Sequence, residues 1–409
     1  MKPLPTIYLR RGTADRILAG HPWIYQGAIQ NITNEPADGE IVQVRDAKRH
    51  FLGTGLYNSQ SKITVRLLSR KREAIDQSFF FRRLSDAESL RKKLMPNATS
   101  CRLVNAEGDE LSGLIIDKYE DVFSIQISSL GMELRLSEIT AALRQLCEPV
   151  HILERRDLAS RRVEGLSTEE PGSAPPSDAS DKATHSIISL NGLKFGVDLR
   201  SGHKTGFYLD QQENYQAVSD LLTKWGSQRV LDCFTYQGGF ALHVTKDSKR
   251  SVLALDQSDD AIKQATANAT ANGLGEQCEF QTVNVFDWLK TAQTATKPDS
   301  DENKFDAVIL DPPSFTRNRA SVGNALRGYK EVHLRALRIL KRRGLLITFC
   351  CSHHVDPETF EEVIATAALD NRQCLRRIAV FPQPPDHPII PTIPETQYLK
   401  GFAYELLPR

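Results

Sequence analysis

A chain of 409 residues exceeds the roughly 250 to 300 at which single hydrophobic cores stop growing, so two or three domains are expected. Its 40% hydrophobic and 25% charged residues exclude a fibrous or wholly disordered protein. The net charge of +1 hides an asymmetry: residues 1–73 carry twelve Lys or Arg against six Asp or Glu, which points to a polyanion-binding N-terminal module, with a merely solvated basic face as the plainer alternative.

Along residues 1–73, short apolar runs cut by turn residues predict strands at Ile41-Val42-Gln43-Val44, Gly53-Thr54-Gly55-Leu56-Tyr57 and Ile63 to Leu68. A small β-barrel-like domain follows from them. From Phe79 to Leu94 the apolar spacing becomes helical, and Leu114 to Asp117 with Val122 to Ile127 predicts a hairpin, so residues 74–190 read as a central α+β domain. Residues 167–184 turn to Pro, Ser, Gly, Ala and acidic side chains, and a flexible loop is expected there. Beyond residue 190, buried strands alternate with helices: Arg229 to Asp232, Ser251 to Asp256, Ala307 to Leu310 and Gly344 to Thr348. That alternation predicts an α/β fold with a parallel sheet over 191–409, with ligands at the carboxyl ends of its strands.

Nothing in the sequence approaches the roughly 18 apolar residues of a bilayer span, and no charged start precedes an apolar signal core, so a cytoplasmic protein without a membrane partner is expected. The seven cysteines, Cys101, Cys147, Cys233, Cys278, Cys350, Cys351 and Cys374, lack CxxC spacing; reduced thiols and no metal are expected.

The strand ends carry suggestive residues. The first opens Asp232-Cys233-Phe234-Thr235-Tyr236-Gln237-Gly238-Gly239, whose glycine pair suggests backbone approaching a ligand. A dinucleotide site would show a third glycine around its pyrophosphate; S-adenosylmethionine has no phosphate, and this form favours it. Asp256 ends the second strand, where a carboxylate accepts both hydroxyls of a ribose, unless it serves only as a helix cap. Asn284 follows the third strand, at an adenine edge or equally on a solvent-facing loop.

The fourth strand runs into Asp311-Pro312-Pro313-Ser314-Phe315, a proline-stiffened loop whose carboxylate suits the amide or amine edge of a nucleobase. Amine-methylating enzymes usually carry an aromatic residue where Ser314 stands, so amine methylation is disfavoured. The fifth strand exits through Phe349-Cys350-Cys351-Ser352-His353-His354. Carbon 5 of a pyrimidine is barely nucleophilic, and a thiolate adding at C6 turns the ring into an enamine that takes a methyl group. Successive side chains alternate direction, so Cys350 and Cys351 should point differently and one of them reaches the base; Cys351 is the expected nucleophile. His353 and His354 are read as surface or capping residues.

These motifs, together with Gly20-His21-Pro22-Trp23-Ile24-Tyr25, Asp109-x-Leu111-x-Gly113-Leu114-x-Ile116-Asp117, His203 to Gln211, Arg327-Gly328-Tyr329-Lys330, Asp386-His387-Pro388 and Tyr398-Leu399-Lys400-Gly401-Phe402, resemble over nearly the whole chain the PUA-domain-containing class I methyltransferases that make 5-methylcytosine in large-subunit ribosomal RNA. The resemblance implies an N-terminal PUA β-barrel that grips RNA, 23S ribosomal RNA as the partner, a small central α+β domain and a C-terminal Rossmann-like methyltransferase domain. It puts Cys351 in the nucleophile's place and adds Lys204, Asp210 and Gln211 as residues over the cofactor pocket. The implied site therefore has Cys351 and Asp311 as catalytic residues, and Asp232, Phe234, Tyr236, Gly238, Gly239, Asp256, Asn284, Asp311, Lys204, Asp210 and Gln211 around S-adenosyl-L-methionine. Cys350 stands where the family has a small hydroxyl residue, and Asn284 where it has Asp. Two rivals stay open: a guanine-N7 RNA methyltransferase, which needs no thiol, and a non-catalytic RNA-binding ribosome assembly factor. The oligomeric state is open, a homodimer being one option.

Overall fold

The computed structural model describes residues 4–149, 151–156, 158–166, 185–199, 206–246, 248–295, 300–316 and 319–408. Two compact units emerge: Met1–Ile188, Val197–Leu209 and Pro385–Thr396 form the first, and Ser189–Gly196, Asp210–Pro384 and Gln397–Arg409 the second. The loop expected over 167–184 lies outside the described residues.

The first unit begins with β1 (Thr6–Leu9), α1 (Asp15–Leu18), β2 (Trp23–Ile24), β3 (Ile29–Thr33), β4 (Ile41–Arg45), β5 (Phe51–Tyr57) and β6 (Val65–Ser69), in a sheet ordered β2-β6-β5-β4-β1-β3. Alternation along β1 and β4 turns Ile7, Leu9, Val42 and Val44 inward onto Ile24, Val65 and Leu67. Gly55 is required because a Cβ there would meet the Arg66 carbonyl oxygen at 2.5 Å.

The same unit continues with α2 (Gln77–Leu94), β7 (Ser100–Asn105), β8 (Leu114–Tyr119), β9 (Val122–Ile127), α3 (Leu130–Glu133), α4 (Leu136–Cys147), β10 (His151–Arg155) and α5 (Leu158–Val163). Helix α2 starts at Asp76, whose carboxylate accepts the Phe79 amide at 3.0 Å. Phe79, Phe80 and Leu84 then pack with Ile116, Phe123, Ile125, Ile139 and Leu143 into one core. Several quoted motifs are spent here on ion pairs, Arg91 with Asp109 and Arg102 with Asp117 at 2.8 Å, and on a hydrogen bond, the Asp386 carboxylate accepting the Arg102 backbone amide at 2.8 Å.

Strands β11 (His185–Leu190) and β12 (Leu193–Asp198) pair with each other. The second unit then runs through α6 (Gln212–Trp225), β13 (Arg229–Cys233), α7 (Gly239–Thr245), β14 (Ser251–Asp256), α8 (Asp259–Ala271), β15 (Cys278–Thr282), α9 (Val285–Ala295), β16 (Phe305–Leu310), α10 (Val322–Arg338), β17 (Leu340–Cys350), α11 (Pro357–Asp370), β18 (Cys374–Phe381) and β19 (Lys400–Leu407). Its seven strands are ordered β15-β14-β13-β16-β17-β19-β18. The five from β13 to β17 are parallel, as the strand–helix alternation predicts. The sheet is not wholly parallel, because β19 inserts antiparallel between β17 and β18. A parallel return needs a crossover helix, whereas the described connection from β18 to β19 holds only a short 3-10 turn, Pro394–Thr396. No described helix is long and apolar enough to cross a membrane.

Candidate active site

Register decides which residues meet. Cys233 pairs with Leu255 on one side and Leu310 on the other, and Leu310 pairs with Thr348, so β13, β14, β16 and β17 end along one edge. The loops after them emerge side by side there, at the point where the strand order reverses, which is where such sheets bind ligands.

The β13–α7 loop is conformationally demanding. Phe234 and Tyr236 take positive φ values of 67° and 50°, and Gly238 follows at 85°. Left-handed backbone at a residue with a Cβ costs on the order of 1–3 kcal/mol and persists only where the surroundings impose it. Here the Phe234 and Thr235 amides both donate to the Leu255 carbonyl, at 2.8 and 3.0 Å, and the Tyr236 amide donates to Asp256 Oδ2 at 3.0 Å. Strand β14 therefore shapes the loop.

Asp232 is fully buried; its Oδ2 accepts from Thr235 Oγ1 at 2.6 Å and from the Ala241 amide at 3.0 Å, while its Oδ1 is buried with no partner. An unsatisfied buried carboxylate oxygen at the mouth of a glycine loop is an acceptor waiting for a donor. Burial, reinforced by the negative charge of Asp256, pushes the Asp232 carboxyl up to about 7 against those two hydrogen bonds.

Asp256 is half-buried and its Oδ1 accepts the Ser258 amide at 2.9 Å. The helix cap is Ser258, whose hydroxyl accepts from the Ala261 amide, so capping does not account for Asp256. Asn284 is exposed, and its side-chain oxygen accepts the Asp287 amide at 3.3 Å, the pattern of an N-cap on α9. Gly238 and Gly239 have causes inside the protein. Gly238 needs its positive φ, and a Cβ on Gly239 would lie 2.5 Å from the Tyr215 ring. Close approach to a ligand is not what requires the second glycine. Tyr215 is buried against Phe240 and His243, with ring centroids 4.8 and 5.0 Å away, and cannot swing aside. Gly239→Ala is expected to destabilise the protein by about 1–3 kcal/mol, read as a lowered midpoint of thermal unfolding.

Asp311, half-buried, accepts from Gln211 Nε2 on its Oδ2 at 3.1 Å. Gln211 is in turn oriented by Asn214, whose Nδ2 donates to Gln211 Oε1 at 2.7 Å. Asp210 receives the Tyr398 hydroxyl at 2.7 Å. Lys204 lies outside the described residues.

The two thiols point in different directions. Cys350, the last residue of β17, is fully buried with its sulfur 3.4 Å from the Tyr329 hydroxyl. Cys351 is half-buried, its sulfur 4.0 Å from the Pro312 carbonyl oxygen, beside Asp311. Ser352 ties the two loops together: its hydroxyl lies 2.8 Å from Ser314 Oγ and 3.1 Å from the Tyr329 hydroxyl. The serine replacing an aromatic residue after the prolines thus fastens the Asp311 loop to the exit of β17.

Residues 7–70 match the family model of a PUA-like domain, and residues 168–395, more than half of the chain, match that of an S-adenosylmethionine-dependent methyltransferase. The ribosomal RNA large subunit methyltransferase I of Tolumonas auensis is 37% identical over 405 residues, covering 97% of this chain and 98% of the relative. Its namesake from Vibrio cholerae is 35% identical and covers 98% and 100%. The chain belongs to the ribosomal RNA large subunit methyltransferase I family. Two solved structures share the fold: SMU.776, a methyltransferase complexed with SAH, at TM-score 0.80 and 23% identity, and a methyltransferase from Streptococcus mutans at 0.78 and 22%. Each match covers 98% of this chain and 99% of the solved one.

Family membership makes the enzyme S-adenosylmethionine-dependent, and the β13–α7 loop fits that cofactor through its unsatisfied acceptor and absence of a pyrophosphate cradle. The sequence gives Asn214, Tyr329 and Ser352 no part in the site: Asn214 orients Gln211 within one helical turn, while Tyr329 and Ser352 meet partners 21 to 38 residues away in the chain. Lys400, quoted within a motif but given no role, proves to donate through its Nζ to the carbonyl oxygens of Ser352 at 2.6 Å and Tyr398 at 2.9 Å. A concavity of about 390 Å³ lined by Arg229, Ser251, Cys278 and Phe305 lies at the opposite edge of the sheet, where strands begin, and contains none of these groups. Among the described residues, no cluster of three His, Cys, Asp or Glu side chains is gathered to hold a metal.

Proposed function

We propose that the protein methylates C5 of a cytosine in large-subunit ribosomal RNA in the cytoplasm, with Cys351 as nucleophile and Asp311 gripping the base. The observation that carries this reading is the division of labour at the end of β17: Cys350 is sealed against Tyr329, whereas Cys351 remains half-buried beside the Asp311-Pro312 loop. S-adenosylmethionine supplies an electrophilic methyl group to this pocket.

Cys351 adds as thiolate to C6 of the cytosine, breaking the C5–C6 double bond. Asp311, held by Gln211, grips the N3/N4 edge and stabilises the adduct. The electron pair released toward C5 captures the methyl group; loss of the C5 proton then restores the double bond and expels the thiolate. Asp232, Phe234, Tyr236, Gly238, Asp256 and Asn284 line the cofactor side in this reading, with Asp210 and Gln211 covering it. The basic residues of the PUA-like domain supply the electrostatic grip on RNA.

The product decides between this reading and methylation of guanine N7. After incubation with ribosomal RNA and cofactor, nucleoside mass spectrometry is expected to find 5-methylcytidine; 7-methylguanosine would overturn the proposal, and RNA binding without turnover would favour an assembly factor. The anchoring of Ser314 to Ser352, rather than an aromatic platform for an amine, argues further for carbon as the acceptor.

Cofactor affinity is expected to depend on pH through Asp232. Its carboxyl is raised to about 7, so ionisation is still incomplete at neutral pH. A cationic ligand favours the ionised form, and affinity should rise as pH increases through about 7, approaching a tenfold change per unit below it. Calorimetric titrations between pH 6 and 8 check this, with Asp232→Asn, which cannot ionise, isolating the contribution of this group from that of the ligand's own amine.

A further inference from the structure

Lys400 is a cation in an unusual position. Its residue is 8% exposed, and it is the cross-strand partner of Cys350 in the β17–β19 register, which puts both side chains on the same face of the sheet. Its ammonium reaches past the end of β17 to the Ser352 carbonyl at 2.6 Å and back to the Tyr398 carbonyl at 2.9 Å. No carboxylate lies within ion-pair distance of it among the described residues. A buried ammonium held by neutral carbonyls is unneutralised positive charge, expensive to bury unless an anion forms nearby.

The groups that face it identify that anion. From the exit of β17 come Cys350 and Cys351, both within its electrostatic reach; from the start of α11 comes Asp356, which is exposed and already caps that helix through the Thr359 amide at 2.7 Å. From α10 comes Tyr329, whose hydroxyl is occupied by Cys350 and Ser352 and which burial keeps protonated. Asp311 precedes Pro312, whose carbonyl lies against the Cys351 sulfur, and His353 lies over Tyr398 with ring centroids 5.1 Å apart. Burial draws the Lys400 ammonium below its ordinary value, and Cys350 first, which also hydrogen-bonds it, then Cys351 and Asp356 oppose that pull. Among the described residues facing this charge, Cys351 is the thiol that is half-open while Cys350 is fully buried.

We infer that Lys400 is a positioning residue for the nucleophile: its buried ammonium stabilises the Cys351 thiolate while its two carbonyl contacts hold the exit of β17 in place. The inference rests on the proposed function, since a thiolate at Cys351 matters only if that sulfur attacks the base. On deprotonation the Cys351 proton leaves to solvent and Lys400 remains an ammonium. A thiolate beside a fixed cation titrates below a cysteine without one, and Cys374, free and exposed, serves as the comparison thiol.

The test is iodoacetamide alkylation of the full-length protein as a function of pH, followed for each cysteine by peptide mass spectrometry. In the wild-type protein the midpoint for Cys351 is expected at least about one pH unit below that of Cys374. Lys400→Met should raise it to the Cys374 value or above, and Lys400→Arg should restore much of the difference. A merely structural Lys400 would leave the midpoint where it was, and a wild-type midpoint for Cys351 no lower than for Cys374 overturns the inference without recourse to any variant. Failure of the parent reading is distinguishable: a Lys400-dependent midpoint with no Cys351 adduct to 5-fluorocytosine RNA would sink the cytosine chemistry and leave the charge coupling intact.

Discussion

Replacing Cys351 by alanine is expected to abolish both methyl transfer and the stable adduct formed with 5-fluorocytosine-containing RNA, while Cys350→Ala retains both. Fluorine at C5 cannot leave as a proton does, so an enzyme that attacks C6 becomes trapped on such RNA after methylation, and a shifted gel band reports the bond directly. Removal of a covalent nucleophile costs about 10⁴-fold or more in turnover, because the neighbouring groups act only through the bond it forms. The contrast with Cys350 carries the weight. That sulfur is fully buried against the Tyr329 hydroxyl, and alanine there leaves a small cavity in the core shared with Val355, Phe360 and Phe402. The expected consequence is a loss of stability of about 1–2 kcal/mol with little change in adduct yield. An adduct that survives in Cys351→Ala and disappears in Cys350→Ala would reverse the assignment of the two thiols.

The sequence makes the strand ends of the second unit legible because each is a short apolar run closed by a charged or special residue: Asp232, Asp256 and Asp311 all stand where a parallel strand stops. Alternation along β17 predicts that its two terminal thiols part company. Which one turns inward depends on Tyr329 of α10, about twenty residues earlier, and no local pattern specifies it. The first unit was harder to read: β2 has only two residues, too few for any period to show. The antiparallel insertion of β19 is equally hidden, since strand pairing is a tertiary choice. Gly239 shows the opposite error, a real constraint assigned to the wrong neighbour, because the ring that forbids a Cβ belongs to Tyr215 on a preceding helix. Gln211 and Asp311 meet across 100 residues, and only resemblance to a family brought Gln211 forward.

Asp311→Asn is expected to lower turnover by roughly 10² to 10⁴-fold, the range for loss of a positioned group that manages charge and protons in a transition state. The substitution keeps shape and volume, and the amide oxygen can still accept from Gln211 Nε2, so the loop between β16 and α10 should keep its course. What disappears is the negative charge facing the base edge as the thiolate adds to C6 and electron density moves through the ring. Uncharged, the side chain cannot favour the cationic or protonated edge that makes C6 electrophilic, so addition slows before any methyl group is transferred. Trapping on 5-fluorocytosine RNA should therefore slow in step with turnover, while cofactor affinity changes only a few-fold, because Asp232 and Asp256, the carboxylates proposed to face the cofactor, are untouched and stand at the ends of two other strands. Single-turnover rates, adduct kinetics and cofactor titration, measured on the same variant, separate the possibilities. If cofactor affinity falls as far as turnover does, Asp311 serves the methyl donor instead of the base. The carboxylate before the double proline would then have to be reassigned to the other half of the pocket.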